Sequence, residues 1–421
     1  MIRLATHVSL FAFLMAPGFS WGQTPLALKI LPADPSTNQF FGLDVDLEGS
    51  VMVVGALGES STAQNAGSAY IFERVADEWI EQIKLEEDPP VSLNLFGNAV
   101  ATDGVTIAVG ALGDATMGAL SGAVSIYRRD AGEWSFQQRL FASNSRVLGE
   151  FGDALAIEGE TLIAGAPGDN SACPDDLQCL AGAIYVFEEV AGAWSELIKL
   201  VPSDVVHLDA FGTSVAFDGT TIVGGAPNHA GHGAVYVFEQ VGGVWTETQK
   251  LVADDAAPGD IFGSSIALRG STIVVGARND DDAGEDSGSA YVFEQIGGSW
   301  TQSQKLAAFA GAAGENFGAG IAFAGDTLAI GASRDSHSGI GAAGSVVLFR
   351  RVGATWVETK KLVAADPRSG HTFGDVVASD GAELAIGVWG DDDGGEGAGA
   401  VYLGGSIFAD GFESGDTSNW S

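Results

Sequence analysis

The stretch FGDALAIEGETLIAGAP, residues Phe151–Pro167, carries the two landmarks that predict the fold of this chain. A Phe-Gly pair opens it, and a Gly followed by a small residue comes fourteen residues after the Phe. This arrangement occurs seven times, and each copy begins at one of the following residues: Phe41, Phe96, Phe151, Phe211, Phe262, Phe317 and Phe373. Self-similarity at a nearly fixed period indicates a repeat architecture.

Each unit has the pattern of four short strands. In the first unit Leu43–Leu47 alternates apolar and acidic residues, Val51–Ala56 is apolar throughout, and Ser68–Glu73 and Trp79–Leu85 alternate again. Glycines in the intervening turns suit tight hairpins. Four antiparallel strands repeated seven times predict an all-β fold, a seven-bladed β-propeller of four-stranded antiparallel blades. The glycine on strand two should allow a close backbone approach near the crowded axis.

The seventh unit is incomplete, because no Trp and no Lys-Leu strand follow Ala400–Leu403. Leu28–Ile30, upstream of the first Phe-Gly pair, resembles the missing strand. We therefore predict a ring closed by an N-terminal strand, with residues 26–31 beside residues 399–403. The alternative is a linear solenoid with two capped ends, which leaves strand edges exposed.

Length varies only between the Gly-Ala pair and the third strand of each unit. In an up-and-down blade this loop emerges on the same face as the connection between blades. Variable polar loops on a rigid scaffold are the usual location of binding sites. The predicted binding face consists of loops 57–66, 112–121, 167–181, 226–232, 277–287, 332–343 and 388–398.

The composition restricts the class of partner. The 421 residues include 55 Asp and Glu against 19 Lys and Arg, a formal net charge of −36, and 46% are hydrophobic. The apolar content is enough to bury a core, and the charge argues against nucleic acid and anionic membrane surfaces as partners. Cations, basic proteins and neutral glycans remain as partners.

The ends of the chain differ from the repeats. Residues 1–22 combine a basic start, an apolar run and small residues before Gln23, which predicts a signal peptide rather than a buried strand or helix. The propeller should span residues 23–403, with no transmembrane segment in the mature chain. Residues 404–421 form a C-terminal tail, which resembles tails of exported proteins from some Gram-negative bacteria; a disordered end is the alternative. We expect an exported protein, secreted or at the cell surface.

The Phe-Gly pairs followed by Gly-Ala-Pro, complete in Phe151–Pro167 and Phe211–Pro227, resemble the FG-GAP repeat. Seven such repeats form the propeller of integrin α subunits and occur in secreted bacterial proteins. The resemblance implies extracellular binding or adhesion through the loop-rich face. It does not carry over the integrin calcium loops, because the corresponding interval here holds only a tight turn, Asp46–Gly49, with too few oxygen ligands.

Two acidic loops are nevertheless candidates for calcium, because they combine hard oxygen ligands with flexible glycine. Neither matches the EF-hand pattern, and a solvated acidic loop is the alternative. The candidate ligands are Asp280, Asp282, Glu285 and Asp286 in one loop and Asp391, Asp393 and Glu396 in the other.

Other candidate sites receive simpler interpretations. Cys173 and Cys179 share the longest loop, which predicts a local disulfide in an exported protein. His229 and His232 lack further ligands for zinc. The Trp that recurs on strand four should pack between blades, with a glycan platform as the alternative for one or two copies. No nucleophile elbow, zinc helix or phosphate loop occurs.

These observations predict a non-enzymatic binding or adhesion module for an extracellular protein or glycan. The alternative is a calcium-assisted hydrolase on the same scaffold, because propellers also support catalysis.

Overall fold

The computed structural model describes residues 23–404 except 77, 171, 174–178 and 310. The predicted signal peptide, and the predicted tail beyond residue 404, lie outside the described residues. Within them, 29 strands form seven sheets, and the single helical element is a short 3-10 turn at His229–Gly231. The all-β fold predicted from the repeats is therefore confirmed.

Each sheet is one blade of a propeller, and the four strands that form each blade pair antiparallel in up-and-down order. The strands of blades 1 to 3 are β3 (Val45–Glu48), β4 (Val51–Ala56), β5 (Ser68–Val75), β6 (Glu78–Leu85); β7 (Phe96–Thr102), β8 (Thr106–Ala111), β9 (Ala123–Asp130), β10 (Glu133–Leu140); and β11 (Leu155–Glu158), β12 (Thr161–Ala166), β13 (Ala183–Val190), β14 (Ala193–Leu200). Those of blades 4 and 5 are β15 (Ser214–Phe217), β16 (Thr221–Ala226), β17 (Ala234–Val241), β18 (Val244–Leu251); and β19 (Ser265–Arg269), β20 (Thr272–Ala277), β21 (Ser289–Ile296), β22 (Ser299–Leu306). Blades 6 and 7 contain β23 (Phe317–Ala324), β24 (Thr327–Ala332), β25 (Ser345–Val352), β26 (Thr355–Ala364); and β27 (Val376–Ser379), β28 (Leu384–Val388), β29 (Ala400–Leu403).

The first strands of the blades contact one another in sequence, and β27 contacts β3, so the arrangement is a closed ring. The apolar residues of strands two and three are buried between neighbouring blades rather than in one central core. Trp194, Trp245, Trp300 and Trp356 are buried in these layers. Trp134 donates its indole N–H to Glu73 of the preceding blade at 2.9 Å. The predicted packing role of the repeated Trp is therefore confirmed.

Two N-terminal strands close the ring. β2 (Leu28–Ile30) pairs antiparallel with β29 and supplies the fourth strand of blade 7, which confirms the predicted closure. β1 (Gln23–Leu26) pairs parallel with β26 and adds a fifth strand to blade 6, which the repeat pattern does not predict. Residues 23–30 therefore join blades 6 and 7 to each other, and they connect both blades to blade 1, which follows in the chain.

The glycines of the two landmark pairs meet across the blade interfaces. A Cβ on Gly55 of β4 would clash with the carbonyl oxygen of Gly97 in the next blade, and the same relation holds at all seven interfaces. Gly97 itself has φ +85°, in the left-handed region that favours glycine. The close approach predicted for strand two is therefore real, and it joins the second strand of one blade to the Phe-Gly glycine at the first strand of the next.

Candidate functional site: the lysine cages of the loop face

The variable loops and the connections between blades lie on one face, which we call the loop face. Leu93, in the connection from blade 1 to blade 2, donates its N–H to the carbonyl of Gln64 in the loop between β4 and β5 at 2.8 Å. Phe96 N–H donates to Ala66 of the same loop at 3.0 Å. The loops are therefore anchored by backbone hydrogen bonds to the connection that follows them.

A second anchor is a buried ion pair, found in six of the seven blades, which we call a lysine cage, although its base is an arginine in one blade. The basic residue near the end of the fourth strand meets a buried acid three residues after the Gly-Ala pair. Lys305 Nζ lies 2.9 Å from Asp280 Oδ2, Lys361 Nζ 2.7 Å from Asp335 Oδ2, and Lys199 Nζ 2.7 Å from Asp169 Oδ1. The other pairs of this kind are Lys84–Glu59, Arg139–Asp114 and Lys29–Asp391.

A tyrosine of the third strand completes several cages. Tyr291 donates its hydroxyl hydrogen to Asp280 Oδ2 at 2.7 Å, and Lys305 Nζ lies 5.1 Å from the centre of the Tyr291 ring. Burial, and to a smaller extent the hydrogen bond to Asp280, raises the pKa of this tyrosine above its ordinary value, so it acts as a neutral donor. The cage combines an ammonium, a carboxylate and a hydroxyl.

Blade 4 replaces the cage acid by His229. Its Nδ1 lies 2.8 Å from Asp209 Oδ2, and its Nε2 lies 2.6 Å from Lys250 Nζ. A neutral imidazole that donates from Nδ1 and accepts at Nε2 satisfies both contacts. His232 instead contacts the Gly233 carbonyl at 2.8 Å, so these contacts give the two histidines separate structural roles.

The predicted calcium ligands divide between cage positions and exposed loop positions. In blade 5, Asp280 and Asp282 lie 2.9 and 2.6 Å from Lys305 Nζ. Glu285 is exposed, and the Asp286 N–H donates to Asp281 at 2.7 Å.

Blade 7 repeats this arrangement at the ring closure. Asp391 and Asp393 each lie 2.6 Å from Lys29 Nζ, and Glu396 is exposed. The structure thus brings together the first two acids of each loop and leaves the others outside the cages.

Each of these two cages contains a third carboxylate that the sequence interpretation missed. Asp255 lies 2.7 Å from Lys305 Nζ, and Asp366 lies 3.1 Å from Lys29 Nζ. The three carboxylates in each cage approach within 4.8 Å of one another, close enough to hold a cation. One sequence signal could have identified these third carboxylates: an Asp that follows the basic residue of the repeated basic-Leu pair by five positions.

The lysine ammonium already serves as the cation of both cages. Burial tends to raise the pKa of Asp280, but hydrogen bonds from Lys305 and Tyr291 lower it below its ordinary value. Burial likewise opposes the charge of Lys29, yet hydrogen bonds to Asp391, Asp393 and Asp366 raise its pKa. The donor set therefore fits an ammonium ion, and calcium would have to displace it. Calcium at these acids stays a prediction.

The longest loop of the face, between β12 and β13, contains the predicted disulfide. Cys173 and Cys179 are bonded, with their Cα atoms 6.0 Å apart. Cys179 is fully buried in the apolar layer that also contains Phe211 of the next blade. The bridge therefore fixes the loop against the interface of blades 3 and 4.

Three acids near the ring axis have unusual titration behaviour. Asp44 and Asp46 accept hydrogen bonds at 2.7 Å from Val100 and Thr102 N–H groups on β7, the first strand of the next blade. Burial raises the pKa of Asp44 to about 7, of Asp46 to about 6 and of Asp153 to about 7. Asp44 and Asp46 thus join the inner strands of blades 1 and 2. At the interface of blades 5 and 6, Ser265 makes a comparable connection through its hydroxyl, 2.7 Å from Gly318 O.

Closed blades, seven repeats and anchored loops on one face define a seven-bladed propeller scaffold. A comparison with known protein families matches the FG-GAP repeat at residues 26–72, 79–127, 134–187, 194–238, 245–293, 300–349 and 356–404. The chain therefore belongs to the FG-GAP repeat family. Each matched segment begins at or near the fourth strand of one blade and ends within, or in the last repeat just after, the third strand of the next, so the sequence repeat is offset from the blade.

Solved structures share the fold at low sequence identity. A chain of the mitotic checkpoint complex aligns with a TM-score of 0.55 and 12% identity, over 94% of this chain and 98% of that one. A protein of Bacteroides uniformis ATCC 8492, provisionally assigned as a 6-phosphogluconolactonase, aligns with a TM-score of 0.54 and 12% identity, over 81% and 89%. These likenesses show the propeller fold alone. A search of curated protein sequences found no match.

No helix among the described residues is long and apolar enough to cross a membrane.

Proposed function

We propose that this protein is an exported, non-enzymatic binding module whose loop face contacts an extracellular protein or glycan. The observation that carries the proposal is the double anchoring of the loops, by backbone hydrogen bonds to the following connection and by the lysine cages. A preorganised surface loses little conformational entropy on binding, which favours recognition by a fixed set of loops. Family membership and the disulfide support the extracellular location.

The charge of the loop face favours a basic protein surface as the partner. The cage of Lys305 contains one ammonium and three carboxylates, so it retains a negative charge after pairing. Asp282 is exposed at the rim of this cage, with 69% of its side chain accessible. Glu285 in the same loop and Glu396 in the corresponding loop of blade 7 are also exposed. A field of this sign accelerates encounter with cationic surfaces and weakens as salt is added.

A binding assay with matched variants tests this proposal. The probe is an immobilised oligolysine peptide, measured at 20, 150 and 500 mM NaCl, in parallel with an array of neutral and acidic glycans with and without calcium. The variant Glu285→Gln/Glu396→Gln removes two exposed charges from the loop face. Glu78→Gln/Glu133→Gln removes two exposed charges from the opposite face and is the control.

We expect salt-sensitive binding of oligolysine that is weakened more by the loop-face variant than by the control. Equal weakening by both variants would show that only net charge matters, and would contradict a specific loop face. Calcium-dependent retention of a glycan that the loop-face variant abolishes would instead favour a cation-bridged glycan as the partner.

The alternative function is a calcium-assisted hydrolase that uses the same acids. Calorimetry with calcium, on the native protein and on Asp280→Ala/Asp282→Ala and Asp391→Ala/Asp393→Ala, tests the metal directly. An absence of calcium heat in the native protein removes this alternative and leaves the binding proposal intact. Turnover of any screened substrate that one of these substitutions abolishes would overturn the binding-module proposal.

A further inference from the structure

A cleft of about 410 Å³ lies between blades 5 and 6, on the face that carries the tight hairpins. Its lining includes Arg269 at the end of β19, Arg350 and Arg351 on β25, and the rings of Phe323 and Trp356. Its volume falls within the range of small-molecule sites. Because the loop face lies at the other end of the blades, this cleft is independent of the function proposed above.

The charge of the cleft is opposite to that of the protein. Three of the 19 basic residues of the chain line it, and Asp326 is the single acid of the lining. In the corresponding cleft between blades 2 and 3, acidic residues outnumber basic ones, as they do in the whole protein. Arg128 there lies 2.5 Å from Glu189, and a second acid, Glu160, also lines the space. Blades 5 and 6 keep an ion pair at the same two positions with its charges exchanged, Glu294–Arg351 in place of Arg128–Glu189. The excess positive charge therefore comes from Arg269 and Arg350, which occupy the positions of Asp103 and Glu188 in blades 2 and 3.

Two of the arginines, Arg269 and Arg351, are held in place by groups that leave donors available. Arg269 donates to the carbonyl of Gly325 in the next blade. The Arg351 guanidinium lies 5.9 Å from the centre of the Trp356 ring and 3.2 Å from Glu294. Among the residues that the structure describes, no carboxylate forms an ion pair with Arg269 or Arg350. A guanidinium has five N–H donors, so each retains free donors.

We propose that this cleft binds a small organic polycarboxylate. The planar fork of a guanidinium matches a carboxylate in two parallel hydrogen bonds, and separated guanidinium groups favour a ligand with more than one carboxylate. Phe323, which is half-buried, supplies an apolar wall for the carbon skeleton. Since the net charge of −36 repels anions from the rest of the surface, binding should be confined to this cleft.

The test is calorimetric titration of the whole protein with four probes. Citrate is a free polycarboxylate, trigalacturonate is a saccharide polycarboxylate, maltotriose is an uncharged saccharide and sodium sulfate is an inorganic anion. The cleft variant is Arg269→Gln/Arg350→Gln, which leaves the Arg351–Glu294 pair intact. The matched control is Arg334→Gln, an exposed arginine of blade 6 in the loop between β24 and β25.

We expect citrate, trigalacturonate or both to bind the native protein, with affinity at least tenfold lower in the cleft variant and unchanged in the control. Preference for citrate or for trigalacturonate identifies the source of the carboxylates. Equal affinity for sulfate would overturn the carboxylate assignment, as would binding of maltotriose. No heat with any probe, or equal binding by the cleft variant, would overturn the site. Thermal melting of all three proteins establishes that the variants are folded.

Discussion

Lys29 Nζ lies 2.6 Å from Asp391 Oδ2, so the buried ion pair that completes blade 7 joins the first described strands to the last loop. The Asp391 carboxylate is fully buried, and Lys29 also contacts Asp366 and Asp393. The cage that anchors a loop in the other blades therefore also closes the ring here.

Replacing Lys29 by Met should destabilise the protein by about 3–5 kcal/mol, because it leaves the buried Asp391 carboxylate unpaired. Urea unfolding of Lys29→Met, Asp391→Asn and the double variant measures this. The double variant should be more stable than Lys29→Met, since the unpaired charge is gone. Additive losses in the two single variants would contradict a direct interaction between these residues.

The two N-terminal strands that close the ring should contribute separately to the stability of the folded protein. A chain that begins at Ala27 lacks β1, and one that begins at Pro32 lacks both β1 and β2. We expect the first truncation to lower the melting temperature slightly and the second by several degrees, because it removes Lys29 and exposes the edge of β29. Differential scanning calorimetry measures both, and equal melting temperatures for the native protein and the shorter chain would contradict closure by β2.

Gly55→Ala should destabilise the protein by about 1–3 kcal/mol, because the new methyl group would overlap the Gly97 carbonyl of the next blade. Gly341→Ala is the matched control, since its Cβ meets no atom within 4 Å and its φ is not left-handed. Chemical unfolding of both variants compares them. A Gly55→Ala protein as stable as the control would show that blade interfaces tolerate added volume.

Stability should be greatest at moderately acidic pH. The pKa values of Asp44 and Asp153 are about 7 in the folded protein against an ordinary 3.8, so the folded protein binds more protons between these values. The free energy of unfolding therefore falls as pH rises from about 4 to 7. Asp280 and Asp366 have lowered pKa values, and their contribution is lost as pH falls below the ordinary value.

The variant Asp44→Asn/Asp153→Asn tests this pH dependence. It should be more stable than the native protein at pH 8. Its free energy of unfolding should fall much less between pH 5 and 8 than that of the native protein. Urea unfolding at unit steps of pH, with Glu78→Gln as an exposed control, gives the comparison. Native stability that rises steadily from pH 5 to 8 would contradict the raised pKa values.

The disulfide should contribute at most about 2–3 kcal/mol, since it closes a loop of only six residues' separation. Mass spectrometry without reduction should find Cys173 and Cys179 joined, and Cys173→Ala/Cys179→Ala should melt a few degrees lower. Free thiols at both positions in the purified protein would contradict the bond.

The fold could be predicted from the sequence because the landmarks recur at a constant spacing. The Phe-Gly pairs and the Leu28–Ile30 segment fixed the number of blades and the closure before any contact was known. β1 was not predicted, because its parallel pairing with β26 has no counterpart in the other repeats. A unique pairing leaves no periodic signal.

The site was predicted less completely, because acids and bases were considered apart. Asp280 and Asp391 were identified as cation ligands, but the cation that the structure places there is a lysine ammonium from a strand about 25 residues later in one case and from the chain start in the other. The pairing depends on three-dimensional proximity. The positive charge that Arg269 and Arg350 bring to one cleft could not be predicted either, because it requires knowledge of which blades are neighbours.

The offset between sequence repeat and blade has a consequence for assembly of the molecule. Blade 7 cannot be completed until residues 400–403 have been synthesised, so its last step joins segments more than 360 residues apart, and contacts of such high order slow folding. Until β2 of the same chain pairs with it, β29 presents a free edge, and β2 of a second copy carries the same complementary residues. At high concentration, exchange of this strand between two copies would produce a swapped dimer in which each ring is completed by the other chain.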